Sequence, residues 1–260
     1  MSVIGAMFRY DWRVRAADVR RLLGAGYTGI VVLCLAALAG NWLAGAGAGT
    51  AAQWVAHAAT GYVVVAVHVA LWSSYRERIR RHQEAGVLEA CVMTRTPLWR
   101  TIFAAPTWDV SMELAWGTVW LAVAVAYVGF EPAAVFPALL TCVLGLWATW
   151  MVGMASASVS MALRASDPIA SFLMAWMLFC SGVVVPRESL PEFMQWLGAF
   201  MPAAPMVDAL REALGTQPNA GWEHVLHALA LAAAFTLVTF VTVRLAVERV
   251  LGDGAFSQPD

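Results

Sequence analysis

The chain has 260 residues, 61% hydrophobic and only 13% charged, with a formal net charge of −1. Soluble domains carry about 25% charged and 45–50% apolar residues, so the composition excludes an ordinary soluble domain and describes a polytopic helical membrane protein. All sixteen basic residues are arginine; a phosphate-binding P-loop needs its lysine, so ATP hydrolysis is expected only on a partner chain.

Residues Val3 to Leu23 mix Met7, Phe8, Trp12, Val19, Leu22 and Leu23 with five arginines. Two readings fit: a helix lying in the membrane interface with its arginines on anionic headgroups, or a collar that orients the first span. No short apolar core with a cleavage site precedes it, so no cleaved signal peptide is expected. A span needs roughly 20 apolar residues, and six runs qualify: Ala25–Gly45, Val55–Trp72, Trp108–Phe130, Val135–Leu163, Pro168–Val185 and Val225–Val247. The fourth is long enough to project beyond a bilayer. The expected fold is therefore all-α, a single membrane domain over 1–260: an interfacial helix (1–24), spans one to five (25–185), an outer segment (186–222), then span six and a tail (223–260).

The arginines orient these spans. Five precede span one, six (Arg76, Arg78, Arg80, Arg81, Arg95 and Arg100) lie between spans two and three, and Arg164, Arg244 and Arg249 share that side. Only Arg187 and Arg211 fall on the other side, so the positive-inside rule puts both termini in the cytoplasm. Between spans two and three, Gly86 to Met93 has the pattern of a short helix with Val87, Leu88, Cys91 and Val92 on one side, ended by Thr96 and Pro97. Such a helix suits either the membrane surface or a partner's groove. Trp42, Trp54, Trp72, Trp99, Trp108 and Trp222 fall near span ends, as interfacial belts do. Trp116, Trp120, Trp147, Trp150 and Trp176 lie deeper. They are candidates for lining a pathway, with lipid contact or helix packing as the plainer reading. Gly153 and Ala157 form a small-x-x-x-small pair expected to bring helices close. Cys34, Cys91, Cys142 and Cys180 have no zinc or disulfide spacing and read as small packing residues.

Asp109 and Glu113 stand one turn apart at the start of span three. Ionisable groups in a span are functional candidates, but here water, Arg100 and the helix N-terminus can stabilise them, which favours a structural role over proton coupling. His57 and His68 on span two have no carboxylate or cysteine at metal spacing and are expected to be hydrogen-bonded. His224 and His227 lie beside the outer interface. No nucleophile–base or metal motif is present, so no catalytic, cofactor or metal residue is expected.

The segment "VVPRESLPEFMQWLGAFMPAAP", Val184 to Pro205, is too apolar for a loop and too broken by proline for a span. Ser189 and Glu192 have capping-box spacing. Leu190, Phe193, Met194, Leu197 and Met201 follow helical periodicity, predicting a helix from Leu190 to before Pro202. A second is predicted from Pro205 to Leu214, stopped by Gly215. Eleven residues rise only about 16 Å, so the pair predicts a re-entrant hairpin, with a surface-lying amphipathic pair as the alternative.

The stretch from Ser181 to Leu214 resembles the permeases of type-2 ABC exporters, with Ser181, Gly182 and Pro186, then Leu190 and Pro191, Pro202, and Ala209, Leu210 and Arg211 at the family's motif positions. "EAGVLEACVMTRTP" resembles the family's cytoplasmic loop, with Val87 where threonine is common. "MELAWGT", Met112 to Thr118, is similar to the third span of nodulation-factor and polysaccharide exporters. The resemblance implies a six-helix permease that homodimerises and binds two copies of an ATPase subunit carrying ATP and Mg. It makes Gly86–Met93 a coupling helix, with Glu84, Gly86, Val87, Leu88, Glu89, Arg95 and Pro97 at the ATPase. It makes the hairpin an outer gate built on Pro186, Leu190, Pro191, Phe193, Trp196 and Pro202. The expected function is export of an amphipathic or glycolipid-like substrate across a bacterial inner membrane, without a nucleic-acid partner. The alternative is a proton-coupled secondary transporter using Asp109, Glu113, His57 and His68.

Overall fold

A computed structural model describes residues 50–84, 102–104, 106–163, 174–176, 179–183, 187, 190–216 and 221–252, with isolated positions between 28 and 41. Its helices are α1 (Ala51–Glu84), α2 (Thr107–Val128), α3 (Pro132–Leu163), α4 (Glu192–Ala199), α5 (Ala203–Ala213) and α6 (Trp222–Gly252). No strand occurs among the described residues. Four stretches are long and apolar enough to cross a membrane: Ala51–Tyr75, Ile102–Val128, Pro132–Ser160 and Trp222–Ala246. They coincide with the second, third, fourth and sixth expected spans. Most of spans one and five, the interfacial helix and the coupling helix fall outside the described residues.

Helices α1, α3 and α6 run in one direction and α2 in the opposite one. The end of the bundle that carries Arg76 to Glu84 is packed by Val67, Leu71, Trp72 and Tyr75 of α1 against Ile102 and Val110 near the start of α2 and Met154 and Ala157 of α3. The opposite end joins Ala56 and Ala59 of α1, Ala124 of α2 and Leu214 after α5. Helices α3 and α6 pair along their length through Ala148, Leu231 and Ala232. Thr239 of α6 also donates to the Met151 carbonyl of α3 at 2.8 Å. Lipid tails are as apolar as leucine side chains, so close packing by small residues and hydrogen bonds between helices hold such a bundle together. Gly153 shows this directly: a Cβ there would stand 2.6 Å from Leu71 Cδ2 and 2.7 Å from the Tyr75 ring. The expected small-residue approach between spans two and four is therefore made. Two tryptophans expected in the interfacial belt are instead inside the protein. Trp72 and Trp108 are buried because α1, α2 and α3 converge at the arginine-rich end, whereas Trp222 is exposed as expected.

The two short helices form a hairpin that dips into the bundle from the end opposite the arginines. Its tip reaches deep: Met206 and the Pro202 carbonyl lie against Gly145, thirteen residues from Pro132 and so roughly 20 Å along α3. Val207 packs on Val64 at a matching depth of α1. The pair thus packs between the long helices rather than along their outside. Three details differ from the sequence reading. Pro191, extended at φ −54° and ψ 144°, is the N-cap of α4, and no side chain caps it. Glu192 is thus the first helical residue, two positions too early for the far partner of a capping box. Helix α5 begins at Ala203 after Pro202, leaving Pro205 in the first turn, where its missing N–H costs nothing. Its end is as expected: Gly215 takes φ +65°, with Gly215 N–H on the Glu212 carbonyl and Thr216 N–H on that of Arg211, a Schellman stop.

Gly153→Leu is expected to destabilise the fold by about 1–3 kcal/mol through overpacking, read as a lower thermal midpoint in detergent. Leu139→Ala, on an exposed face of α3, is expected to leave the midpoint nearly unchanged.

Candidate functional site

Helix α5 is the polar centre of the hairpin. It is enclosed by α1, α3, α4 and α6, so its charged side chains have to find partners inside the protein. Burying a charge is costly unless hydrogen bonds compensate, and each of these side chains reaches a different element. Asp208 lies 3.8 Å from Arg187, ahead of α4, and Arg187 also donates to the Gln195 carbonyl at 2.8 Å. Arg211 is only 2% exposed. Its Nη2 donates to the Gly182 carbonyl at 2.9 Å and to His57 Nε2 of α1 at 3.1 Å, with a longer contact to the Val183 carbonyl at 3.4 Å. A guanidinium can only donate, so His57 accepts through Nε2 and carries its proton on Nδ1. Glu212, 3% exposed, accepts from the Gly221 N–H at 3.0 Å and meets His224 Nε2 at 3.3 Å. One turn further along α6, His227 Nε2 donates to the Ala199 carbonyl at 2.7 Å. Both arms of the hairpin are thereby tied to α6. The Glu131 N–H, in the turn between α2 and α3, donates to the Ala213 carbonyl at 2.8 Å.

Two glycines make the Arg211 contacts possible. Gly182 adopts φ +82° just after helical Cys180, exposing carbonyls at a helix C-terminus, where cations are favoured. Gly61 sits one turn after His57, and a Cβ there would lie 2.7 Å from the Val183 carbonyl. The sequence reading put Arg211 with Arg187 on the side opposite the other arginines, and in the structure Arg211 is buried where α5 packs against α1, α3 and α6.

The expected gate residues divide between two faces. Leu190 and Pro202 are buried, while Pro191, Phe193 and Trp196 are exposed; Pro186 lies outside the described residues. Trp196 packs edge-on against Phe200, their ring centroids 4.9 Å apart. The deep tryptophans also separate. Trp116 and Trp120 stack on α2, centroids 6.2 Å apart. Trp147 and Trp150 gather around Phe103 instead, and both are tied into the protein. Trp147 donates to Thr236 Oγ1 at 3.0 Å and Trp150 to the Phe103 carbonyl at 3.1 Å. Trp176 is half-buried. Helix α1 ends at Glu84, while Gly86, Val87, Leu88, Glu89, Arg95 and Pro97 lie outside the described residues.

Asp109 and His68 each make hydrogen bonds inside the bundle. Asp109 accepts from the Ser74 hydroxyl, a structural link between α1 and α2. His68 is fully buried, with Nδ1 on the Val64 carbonyl at 2.7 Å and Nε2 facing Thr149 Oγ1 at 2.9 Å. A carbonyl only accepts, so Nδ1 carries the proton. His57 points instead to the hairpin.

The family described as ABC-2 type transporter matches residues 4–214. The chain belongs to this family. Nodulation protein J of Sinorhizobium fredii is 28% identical over 206 residues, covering 76% of this chain and 75% of that protein. An ABC-2 protein of this kind is the multi-pass membrane subunit of an ABC transporter, and membership implies an ABC ATPase as partner. Within the ABC-2 chain, the motif blocks around Ser181–Gly182 and Ala209–Arg211 are not independent signals: Arg211 donates to the carbonyl of Gly182. The partners of Arg211 and Glu212, namely His57, His224 and the Gly182 carbonyl, were missed by sequence reasoning. The available signal was the presence of an arginine in a half-length apolar helix on the side of the membrane that arginine otherwise avoids.

Glu212→Ala is expected to cost about 1–3 kcal/mol, the penalty for leaving buried donors unsatisfied. Amide exchange at Gly221 should accelerate with it, and Glu212→Gln, which keeps an acceptor, should restore most of the protection.

Proposed function

We propose that this chain is the export-competent permease half of an ABC transporter. A homodimer of it would bind two copies of the ATPase subunit, with ATP and Mg on that partner. The family match over most of the chain carries this reading. The apolar runs support six spans, the arginine distribution, with only Arg187 and Arg211 outside, supports both termini in the cytoplasm, and the family resemblance supports a bacterial inner membrane. On this reading Gly86–Met93 is the coupling helix, with Leu88 and Val87 seated in the ATPase groove and Glu84, Glu89 and Arg95 around its rim. Nucleotide-driven closure of the ATPases pulls on that helix and tilts the spans across the dimer interface.

The hairpin is the outer gate. The geometry in favour is a tip that reaches Gly145 while its open end is anchored at the starts of α1, α3 and α6. The substrate is an amphipathic or glycolipid-like molecule, for which the stacked Trp116–Trp120 pair offers an aromatic surface. Proton coupling is the less favoured mechanism. It needs a chain of exchangeable groups, whereas Asp109 is engaged by Ser74 and His68 by Val64 and Thr149.

Co-expression with an ATPase subunit of the same genetic neighbourhood is expected to yield a stable complex of two permeases and two ATPases. Leu88→Glu should abolish association while leaving the permease folded. Transport that survives ATP depletion but collapses with the proton gradient would contradict the proposal.

A further inference from the structure

The contacts of Arg211 point to a task beyond holding one helix in place. They join three segments remote in sequence: the hairpin through α5, span two through His57, and the end of span five through the Gly182 and Val183 carbonyls. Outward movement of the hairpin changes the distance of Arg211 from the other two segments at once. The acceptors are neutral and the donor is charged, so each bond is stronger than a neutral one. Beneath the hairpin, α4 presses on span five so closely that a Cβ at Gly198 would overlap the Cys180 carbonyl. The Cys180 side chain is buried there.

We infer that Arg211 is the positioning residue that latches the hairpin to spans two and five, with His57 as its acceptor on span two, and that the latch is released in each transport cycle. The inference rests on the outer-gate reading of the hairpin. It assigns His57 to transport without proton relay: its role is to present a lone pair at Nε2. It also gives Gly61 a role, since only glycine lets span two approach the Val183 carbonyl closely enough for one guanidinium to hold both.

Cys180 serves as the reporter. In a full-length chain carrying Cys34→Ala, Cys91→Ala and Cys142→Ala, reconstituted with its ATPase, a membrane-impermeant maleimide is applied from the outer side. The labelling rate is normalised to denatured protein. Without nucleotide, Arg211→Gln and His57→Phe are expected to accelerate labelling about tenfold or more, the scale of a lost charge-assisted hydrogen bond. Arg211→Lys and His57→Gln, which keep a cation and an acceptor, should stay near the wild-type rate. Gly153→Leu separates latching from general loosening: it should lower the thermal midpoint without speeding Cys180. If Arg211→Gln does not yield folded protein, the His57→Phe and His57→Gln pair decides alone. Labelling of Arg211→Gln and His57→Phe as slow as wild type overturns the latch, as does a rate that follows the thermal midpoint through every variant, Gly153→Leu included. Fast labelling of both variants, with a wild-type rate indifferent to ATP and vanadate, retains the static latch but overturns its release in each cycle and the gate reading.

Discussion

A charged guanidinium enclosed between helices is the constraint around which the hairpin end of this protein is arranged. Arg211 has to find acceptors within reach, and the available ones are carbonyls freed where a helix stops and an imidazole on span two. Both require a special backbone nearby. Gly182 stops the helical turn at a positive φ, and Gly61 removes the side chain that would keep span two away. Glu212, the next residue, faces a similar demand and meets it at the start of α6. Consecutive residues of opposite charge therefore tie a short helix to opposite walls of the bundle.

Close approach is the second constraint, and it decides where the hairpin can lie. Gly145 of α3 receives Met206, and Gly198 of α4 rests on the Cys180 carbonyl. With no hydrophobic force between helices in lipid, such contacts stabilise by dispersion and by satisfying backbone groups. Non-helical backbone at membrane depth is tolerated only where protein or water covers it, and at the hairpin turn the Pro202 carbonyl lies against Gly145 of α3. The arginine-rich end is built differently, from large side chains such as Leu71, Tyr75 and Met154. The contrast suits a transporter whose two ends do different work.

Much of this was legible in the sequence. Apolar runs gave the four described spans within a few residues, because hydrocarbon thickness sets span length independently of tertiary contacts. Proline positions disclosed two half-length helices, since proline is tolerated only at or near a helix start. The spacing of Ser189 and Glu192 misled, because Pro191 adopts an extended conformation, ψ 144°, just where a capping box would need the first turn. Trp72 and Trp108 misled for another reason: an aromatic ring at a span end satisfies lipid headgroups and a protein core equally well. Least legible was the Arg211 network. Its members lie up to 154 positions apart, and only the packing of α5 against α1 and α6 brings them together. Glycines at 61 and 145 carry the same lesson, since a small residue announces close approach without naming its neighbour.

The central claim is that α5 is an integral, polar-anchored part of the bundle. Amide hydrogen exchange of the full-length protein in lipid nanodiscs tests it most directly. The account predicts that Val207 to Ala213 exchange as slowly as the middle of α3 around Ala148, with protection lost in Arg211→Gln while α3 stays protected. Exchange of that segment within seconds in the wild-type protein, as for a surface loop, would contradict it.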